Sequence, residues 1–267
     1  MYQTLLTEVD AGIGIITLNR AGRHNAFDDV LVSELTQAID AMAADAGVRV
    51  IVLSSTGKSF CAGADLDWMR RAAAYSDEEN LRDGRALAEM LRRLANCPKP
   101  TIARVQGAAY AGGMGLVACC DIAIATFDAQ FALTETRIGL VPATIGPYVI
   151  SAIGARQARR YMLTAERFSA SDAYRLGLVH ELVVDEAALD EAVGEIADTL
   201  LNNGPAALGE CKALISAVAG KPISAEVIED TAQRITRLRA SEEGREGIAA
   251  FLEKRKPRWV TGGDTQG

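Results

Sequence analysis

Thr101-Ile102-Ala103-Arg104-Val105-Gln106-Gly107-Ala108-Ala109-Tyr110-Ala111-Gly112-Gly113-Met114-Gly115-Leu116-Val117-Ala118-Cys119-Cys120-Asp121-Ile122-Ala123-Ile124-Ala125 changes character repeatedly within one short stretch. Thr101 to Val105 is a β-prone run. Gly107 to Met114 is a Gly/Ala turn that opens a small-residue helix through Cys119, and Asp121 to Ala125 is a second strand. The strands are nearly continuous in apolar residues instead of alternating, as expected for a sheet with helices on its faces. Strand, turn, helix and strand in this order predict an α/β body.

The same alternation extends outward. Thr4 to Asp10 and Ile13 to Asn19 are β-prone runs separated by Ala11-Gly12, a hairpin signal. From Asn25 to Ala44 the period becomes helical, with Phe27, Val30, Leu31, Leu35, Ile39 and Met42 on one face. Val48 to Ser54 is another apolar strand, Ser55 to Asp67 a Gly-containing loop, and Asp77 to Leu94 a charged helix. Ala129 to Leu133 adds a short strand. Beyond Val141 the pattern predicts helices over 155–163, 169–176, 186–201, 205–219, 223–240 and 242–254.

Length and composition narrow the function classes. A chain of 267 residues, 49% hydrophobic and 24% charged, is long enough for a full core without disulfides or a structural metal. With 28 Lys and Arg against 35 Asp and Glu it carries a net charge of −7, which disfavours a general nucleic-acid binder. Five cysteines and two histidines, His24 and His180, show no metal-ligand spacing. MYQTLLTEVDAG lacks the basic and apolar regions of a secretory signal, and the longest uncharged stretch, Ile138 to Ala155, is broken by Pro and Gly. A cytoplasmic location is the expectation.

Familiar catalytic fingerprints are missing: there is no GxxxxGK[ST], no GxSxG, and Gly12-Ile13-Gly14 opens no helix. Two small-residue loops remain, Cys61-Ala62-Gly63-Ala64-Asp65 and Ala111-Gly112-Gly113-Met114-Gly115. If both curve into one cleft, the Ala64 and Gly112 amides converge on a carbonyl oxygen and favour its anionic form. Tight turns with close helix packing would demand the same glycines. Glu135 lies between a strand and an apolar loop, where a pocket raises a carboxyl pKa toward proton-transfer range. A salt bridge to Arg137 or a helix cap is the other reading of that residue. Asp65 likewise suits a helix start, and Asp121 a hydrogen-bonded turn.

Taken together, the motifs resemble those of the enoyl-CoA hydratase/isomerase, or crotonase, family. Leu18-Asn19-Arg20 with His24-Asn25-Ala26 is similar to its amino-terminal signature. Ser59 to Leu66 resembles the first oxyanion and CoA loop. Gln106 to Leu116, closed by Cys120-Asp121, resembles the second, and Leu163 to Ala170 with Ala173 to Val179 the later helical signatures. The likeness covers roughly residues 4–258.

The resemblance implies an α/β fold with a crotonase-like ββα spiral core over residues 1–190. A C-terminal helical oligomerisation region over 191–267 would build trimers or dimers of trimers. It implies oxyanion-hole amides at Ala64 and Gly112 and a catalytic Glu135. CoA contacts would come from His24, Ala26, Ala62, Ala64, Asp65, Leu66, Asp67 and Gly112, and an acyl pocket would be built near Trp68, Met69, Tyr110, Pro142 and Tyr148. Lys254-Arg255-Lys256-Pro257-Arg258 resembles the part that meets CoA phosphates. No metal or redox cofactor, membrane or nucleic acid is implied, and CoA arrives as part of the substrate.

One departure stands out. The family's best-known hydratases use two glutamates; Glu135 matches the later one, whereas the earlier position is Gly115, expected to leave space or a water there. Gly115 to Ala123 and Leu133 to Tyr148 are similar to bacterial methylglutaconyl-CoA hydratases of leucine degradation. The expectation is therefore a hydratase of a branched or carboxylated 2-enoyl-CoA within fatty-acid-type metabolism. A double-bond isomerase using Glu135 and a non-enzymatic assembly or RNA-binding protein are the alternatives.

Overall fold

The computed structural model describes residues 2–260, so the last seven residues of the expected helical region lie outside the described residues. Strands β1 (Leu5–Asp10) and β2 (Ile13–Leu18) form an antiparallel hairpin. Ala11 and Gly12 at its tip both have positive φ, 46° and 90°, as a tight hairpin turn requires. Helix α1 runs over Asp29–Ala44, later than the Asn25 start expected from periodicity. Its N-cap is Asp28, whose side chain accepts from the Leu31 N–H at 2.8 Å. Asn25 is withheld from the helix because its buried side chain serves the loop. Its Oδ1 accepts from the Arg20 N–H, and its Nδ2 donates to the Thr56 and Ser59 carbonyls.

Strand β3 (Val50–Ser55) is buried at every position. Helices α2 (Leu66–Ala72) and α3 (Asp77–Ala95) follow, the latter opened by a Ser76/Glu79 capping box. Next come β4 (Thr101–Val105), β5 (Ala108–Tyr110) and α4 (Gly112–Cys119). The segment expected as one long Gly/Ala turn therefore hides a short strand. The reason is non-local: Cys61 pairs with Ala109 in an isolated bridge, and β5 pairs in parallel with β7 (Gln130–Ala132).

Strand β6 (Ile122–Thr126) lies between β4 and β7 in the chain, and a 3₁₀ turn follows at Glu135–Ile138. The remainder comprises α5 (Gly146–Thr164), β8 (Phe168–Ser169), α6 (Ala170–Leu176), β9 (Glu181–Val183), α7 (Glu186–Leu201), α8 (Pro205–Val218), α9 (Ala225–Ala240) and α10 (Glu242–Leu252). Strands β8 and β9 correct the expectation of helices alone after Val141. Each has at most three residues, too few to register as a period, and each is fixed by pairing with a distant strand.

A six-stranded sheet has the order β1-β2-β3-β4-β6-β9, parallel except at its first hairpin, and a second sheet has the order β5-β7-β8. The main core joins the sheets to α1, α3, α4 and α5 through Leu31, Leu35, Leu53, Met90, Leu91, Met114 and Phe131. A smaller core lies between the larger sheet and α7, around Val52, Ile102, Ile124 and Leu189. Asp121 is the hydrogen-bonded turn residue expected of it. It accepts from the Thr101 N–H and hydroxyl and pairs with Lys212 of α8 at 2.5 Å. No helix among the described residues is long and apolar enough to cross a membrane.

Candidate active site

The two small-residue loops are stitched side by side. The Cys61 N–H donates to the Ala108 carbonyl at 3.0 Å and the Tyr110 N–H to the Cys61 carbonyl at 2.9 Å. This approach demands a glycine at 113: a Cβ there would lie 2.2 Å from the Cys61 carbonyl oxygen. On the other side the first loop is held by Phe27, whose N–H donates to the Gly63 carbonyl and whose carbonyl accepts from the Asp65 N–H, both at 2.7 Å. The Ala62 N–H donates to the His24 carbonyl. His24 also pairs through Nδ1 with the Ser59 hydroxyl at 3.1 Å, which fixes the loop's start.

Ala64 and Gly112 both border a cavity of about 460 Å³. Among the described residues neither amide N–H donates to a protein acceptor. Gly112 is the first residue of α4, so its N–H is one of the orphan donors of a helix start and the helix dipole favours negative charge beside it. Ala111 before it is held at φ 47° and ψ −118°, a conformation that costs a residue with a Cβ on the order of 1–3 kcal/mol. Strain at this point turns the chain from β5 into α4.

Glu135 lines the same cavity from the 3₁₀ turn. Its Oε2 is buried with no hydrogen-bond partner. Burial pushes its carboxyl above the ordinary carboxylate range, and its own backbone amide opposes this only in part. The salt bridge to Arg137 considered from sequence is not made. Arg137 donates from Nη2 to the Ala165 carbonyl at 2.6 Å instead. Glu135 and Arg137 are the charged residues of a wall otherwise built from groups such as Phe27, Trp68, Met69, Leu87 and Pro142.

The place opposite Gly115 is not open, which corrects the expectation of space or a water there. The Ile145 side chain fills it: a Cβ on Gly115 would sit 2.2 Å from Ile145 Cγ2 and 2.8 Å from Ile145 Cβ. Ile145 is 2% exposed and itself lines the cavity. Two donors for an oxyanion, one carboxyl raised in pKa and an apolar chamber suit proton transfer next to a thioester carbonyl.

The Enoyl-CoA hydratase/isomerase family model matches residues 8–262 of the chain. The chain superposes on the crystal structure of an enoyl-CoA hydratase from Shewanella pealeana with a TM-score of 0.94, at 43% identity over 97% of each chain. It is 32% identical to the 2,3-dehydroadipyl-CoA hydratase of Escherichia coli, over 91% of this chain and 93% of that one. It is 30% identical to the 1,2-epoxyphenylacetyl-CoA isomerase of the same organism, over 97% and 99%. The chain belongs to the enoyl-CoA hydratase/isomerase family.

Its fold is accordingly the crotonase-like α/β fold with a C-terminal helical bundle. Its activity is of the enoyl-CoA hydratase/isomerase kind, on acyl-CoA thioesters. Among the described residues there is no cluster of His, Cys, Asp and Glu suited to a metal ion.

Within this family member the expected site residues divide into two sets. Ala62, Ala64, Leu66, Trp68, Met69, Gly112, Glu135 and Pro142 line the cavity together. His24, Ala26, Asp65, Asp67, Tyr110 and Tyr148 do not. Ala26 is buried and its carbonyl accepts from Arg20. Asp65 caps α2, accepting from the Asp67 and Trp68 N–H groups, and pairs with Arg20 at 3.1 Å. Asp67 is half exposed and pairs with Arg23 and Arg70. Tyr110 lies under the Arg167 guanidinium, 5.3 Å from ring centroid to cation, and Tyr148 packs against the main core. In the basic C-terminus, Arg255 and Arg258 are paired with Glu246.

Sequence reasoning missed Ile145, Leu87 and Thr134 as wall residues. Leu87 belongs to the apolar face of α3 and nothing local distinguishes it from a core residue. Ile145 was within a segment already quoted, but its contact with Gly115 spans thirty positions and leaves no local signature.

Proposed function

We propose that the protein is a hydratase that adds water across the double bond of a branched or carboxylated 2-enoyl-CoA, 3-methylglutaconyl-CoA being the model substrate. The observation that carries this reading is the partnerless, buried Oε2 of Glu135 in the cavity that Ala64 and Gly112 border. The two amides hold the thioester oxygen as it gains negative charge. Glu135 accepts a proton from water while the water oxygen bonds to C3. The electron pair moves to the enolate, and Glu135 returns the proton to C2, so one H and one OH are added. With Ile145 packed on Gly115, Glu135 performs both proton transfers. A carboxylated acyl chain is supported by Arg137, the cation of the cavity wall, which makes no ion pair among the described residues.

The lone carboxyl also favours a second reading. A shift of a 3-enoyl to a 2-enoyl thioester needs one base, with Glu135 taking a proton from C2 and returning it to C4. Incubation of 2-enoyl and 3-enoyl substrates in heavy water separates the two. Hydration yields a 3-hydroxyacyl product, whereas isomerisation relocates the double bond with no oxygen added. Absence of water addition across crotonyl-CoA, 3-methylcrotonyl-CoA and 3-methylglutaconyl-CoA removes the hydratase reading.

The reading includes assembly of like chains into trimers or dimers of trimers. Its support is the C-terminal region, where neither α8 nor α9 buries a residue within its own chain. Ile215, Ile228, Ile235, Ile248, Phe251 and Leu252 are exposed there. Light scattering at micromolar concentration tests it, and a monomer mass overturns it.

A further inference from the structure

We propose that Thr136 and Arg137 are positioning residues that hold the Glu135 turn against the C-terminal end of α5 and so aim a carboxyl group whose Oε2 has no partner. The inference rests on Glu135 being the proton carrier. A carboxyl whose Oε2 has no partner, and whose tie is to its own backbone amide, is oriented by its turn and by packing, yet proton transfer to carbon needs it placed closely, since a displacement of about 1 Å costs on the order of 100-fold in rate.

The turn cannot supply that rigidity alone. It is four residues long and ends at Gly139, where φ is 76°. The chain beyond it is exposed at Leu140 and Val141. Its internal ties are short-range: Leu140 N–H to the Glu135 carbonyl at 3.0 Å and Arg137 N–H to the Thr134 carbonyl at 3.1 Å.

Two side-chain hydrogen bonds leave the turn, and both reach one place. The Thr136 hydroxyl donates to the Met162 carbonyl at 3.1 Å, and Arg137 Nη2 donates to the Ala165 carbonyl at 2.6 Å. Met162 lies in the last turn of α5 and Ala165 is its left-handed cap, with φ 50°. The last carbonyls of a helix lack helical partners and carry the negative end of its dipole, so a hydroxyl and a guanidinium are suited to them.

That helix end is itself fixed. Tyr161 of α5 is 5% exposed and its ring centroid is 4.2 Å from that of Phe168. Phe168 in turn stacks on Phe131 of β7 at 5.7 Å. Phe131 precedes Glu135 by one helical turn's worth of chain, so β7, the catalytic turn, the end of α5 and β8 close a ring. The arrangement also turns the Arg137 cation toward a helix end, leaving burial in control of the Glu135 carboxyl.

The test is steady-state kinetics on the full chain with crotonyl-CoA and 3-methylglutaconyl-CoA over a range of pH, for Arg137→Met, Arg137→Lys, Thr136→Val and Thr136→Ser. Arg137→Met is expected to lower kcat by about 10- to 100-fold on both substrates, with KM for crotonyl-CoA, which has no second carboxylate, changed by less than about threefold. Thr136→Val acts in the same direction. In both, the acid limb of the kcat profile moves to lower pH, because a loosened turn admits water to the carboxyl. Arg137→Lys and Thr136→Ser recover most of the rate.

Unchanged kcat and an unmoved acid limb in Arg137→Met and Thr136→Val overturn the proposal. So does a loss confined to KM for 3-methylglutaconyl-CoA, which would make Arg137 a substrate contact only. If Arg137→Met fails to fold, Thr136→Val decides. Glu135→Gln is run beside them. Full turnover by that variant removes the proton-carrier reading and this proposal together, whereas an inactive Glu135→Gln beside wild-type Arg137→Met and Thr136→Val removes the positioning role alone.

Discussion

Asp65, between two residues that line the chamber, and Glu135, in its wall, are acids that the protein treats in opposite ways. Asp65 is 4% exposed and saturated: two backbone N–H groups at the start of α2 and the Arg20 guanidinium converge on it. Burial acts to raise its carboxyl, but those donors outweigh burial and hold it below the usual carboxylate range. Glu135 is half-buried, its Oε2 enclosed without a partner, and desolvation prevails. A satisfied acid is fixed as an anion and serves the fold. An unsatisfied one retains a proton affinity useful for catalysis, at a cost in stability.

The largest expected effect of breaking this contrast is on rate. Glu135→Gln should lower kcat by on the order of 100- to 10,000-fold, measured on the preferred enoyl-CoA. Its effect on stability has the opposite sign. Because the folded-state pKa is raised, the native chain holds more protons than the unfolded one between about pH 4.3 and the folded value, so stability falls as pH rises through that window. Glutamine does not titrate. Thermal melts should therefore show the variant more stable than the parent at pH 8, with the gap closing below about pH 4.

Asp65→Ala reverses the stability effect and its pH dependence. It leaves Arg20 with one carboxylate, Asp28 at 2.8 Å, beside its hydrogen bond to the Ala26 carbonyl, and it uncaps α2. The expected loss is about 3 kcal/mol in urea unfolding at neutral pH. Here the folded pKa is lowered, so the contribution is present above the unfolded value of about 3.9 and disappears as pH falls through the folded one. The penalty should shrink in acid. Equal penalties at pH 7 and pH 3 would overturn the assignment of Asp65 as a structural anion.

A smaller effect sharpens what surrounds the proposed proton carrier. Gly115→Ala places a methyl against the branched side chain of Ile145, at a cost of about 1–3 kcal/mol. Ile145→Ala in the same chain removes the Cγ2 contact, so the double variant should lose less than the two single variants added together, a partial rescue. Failure of the rescue would mean that Ile145 is not what excludes a side chain at this position.

The contrast between the two acids was only half legible in the sequence. Strands β1 to β4 and β6 of the large sheet, with α1, α3 and α7, follow from period and caps, because those signals lie within one element. The two small-residue loops were legible as glycine spacing and Glu135 as an acid in an apolar context. What decided their roles was not local. Asp65 is neutralised by Arg20, forty-five positions away, and the space beside Gly115 is taken by Ile145, thirty positions away. The resemblance implied Tyr110 and Tyr148 as pocket residues, yet one stacks under Arg167 and the other packs against the core. Strand pairing and side-chain direction set those outcomes, and neither has a period to find.

The smallest effect concerns the backbone that presents the Gly112 amide. Ala111 occupies φ 47° and ψ −118°, where glycine has no steric penalty. Ala111→Gly removes strain on the order of 1–3 kcal/mol and adds back about 0.5–1 kcal/mol of unfolded-chain entropy, so the variant should be stabilised by about 1 kcal/mol. That is a rise of a few degrees at most in the melting temperature for a chain of this size. The same substitution frees the turn that aims Gly112, so kcat should fall about two- to fivefold while the melting temperature rises. A stabilised variant with lower kcat would place the oxyanion loop beside Glu135, as a site where stability is given up for geometry. A fall in melting temperature would instead put Ala111 with Asp65, as a residue whose side chain holds the fold.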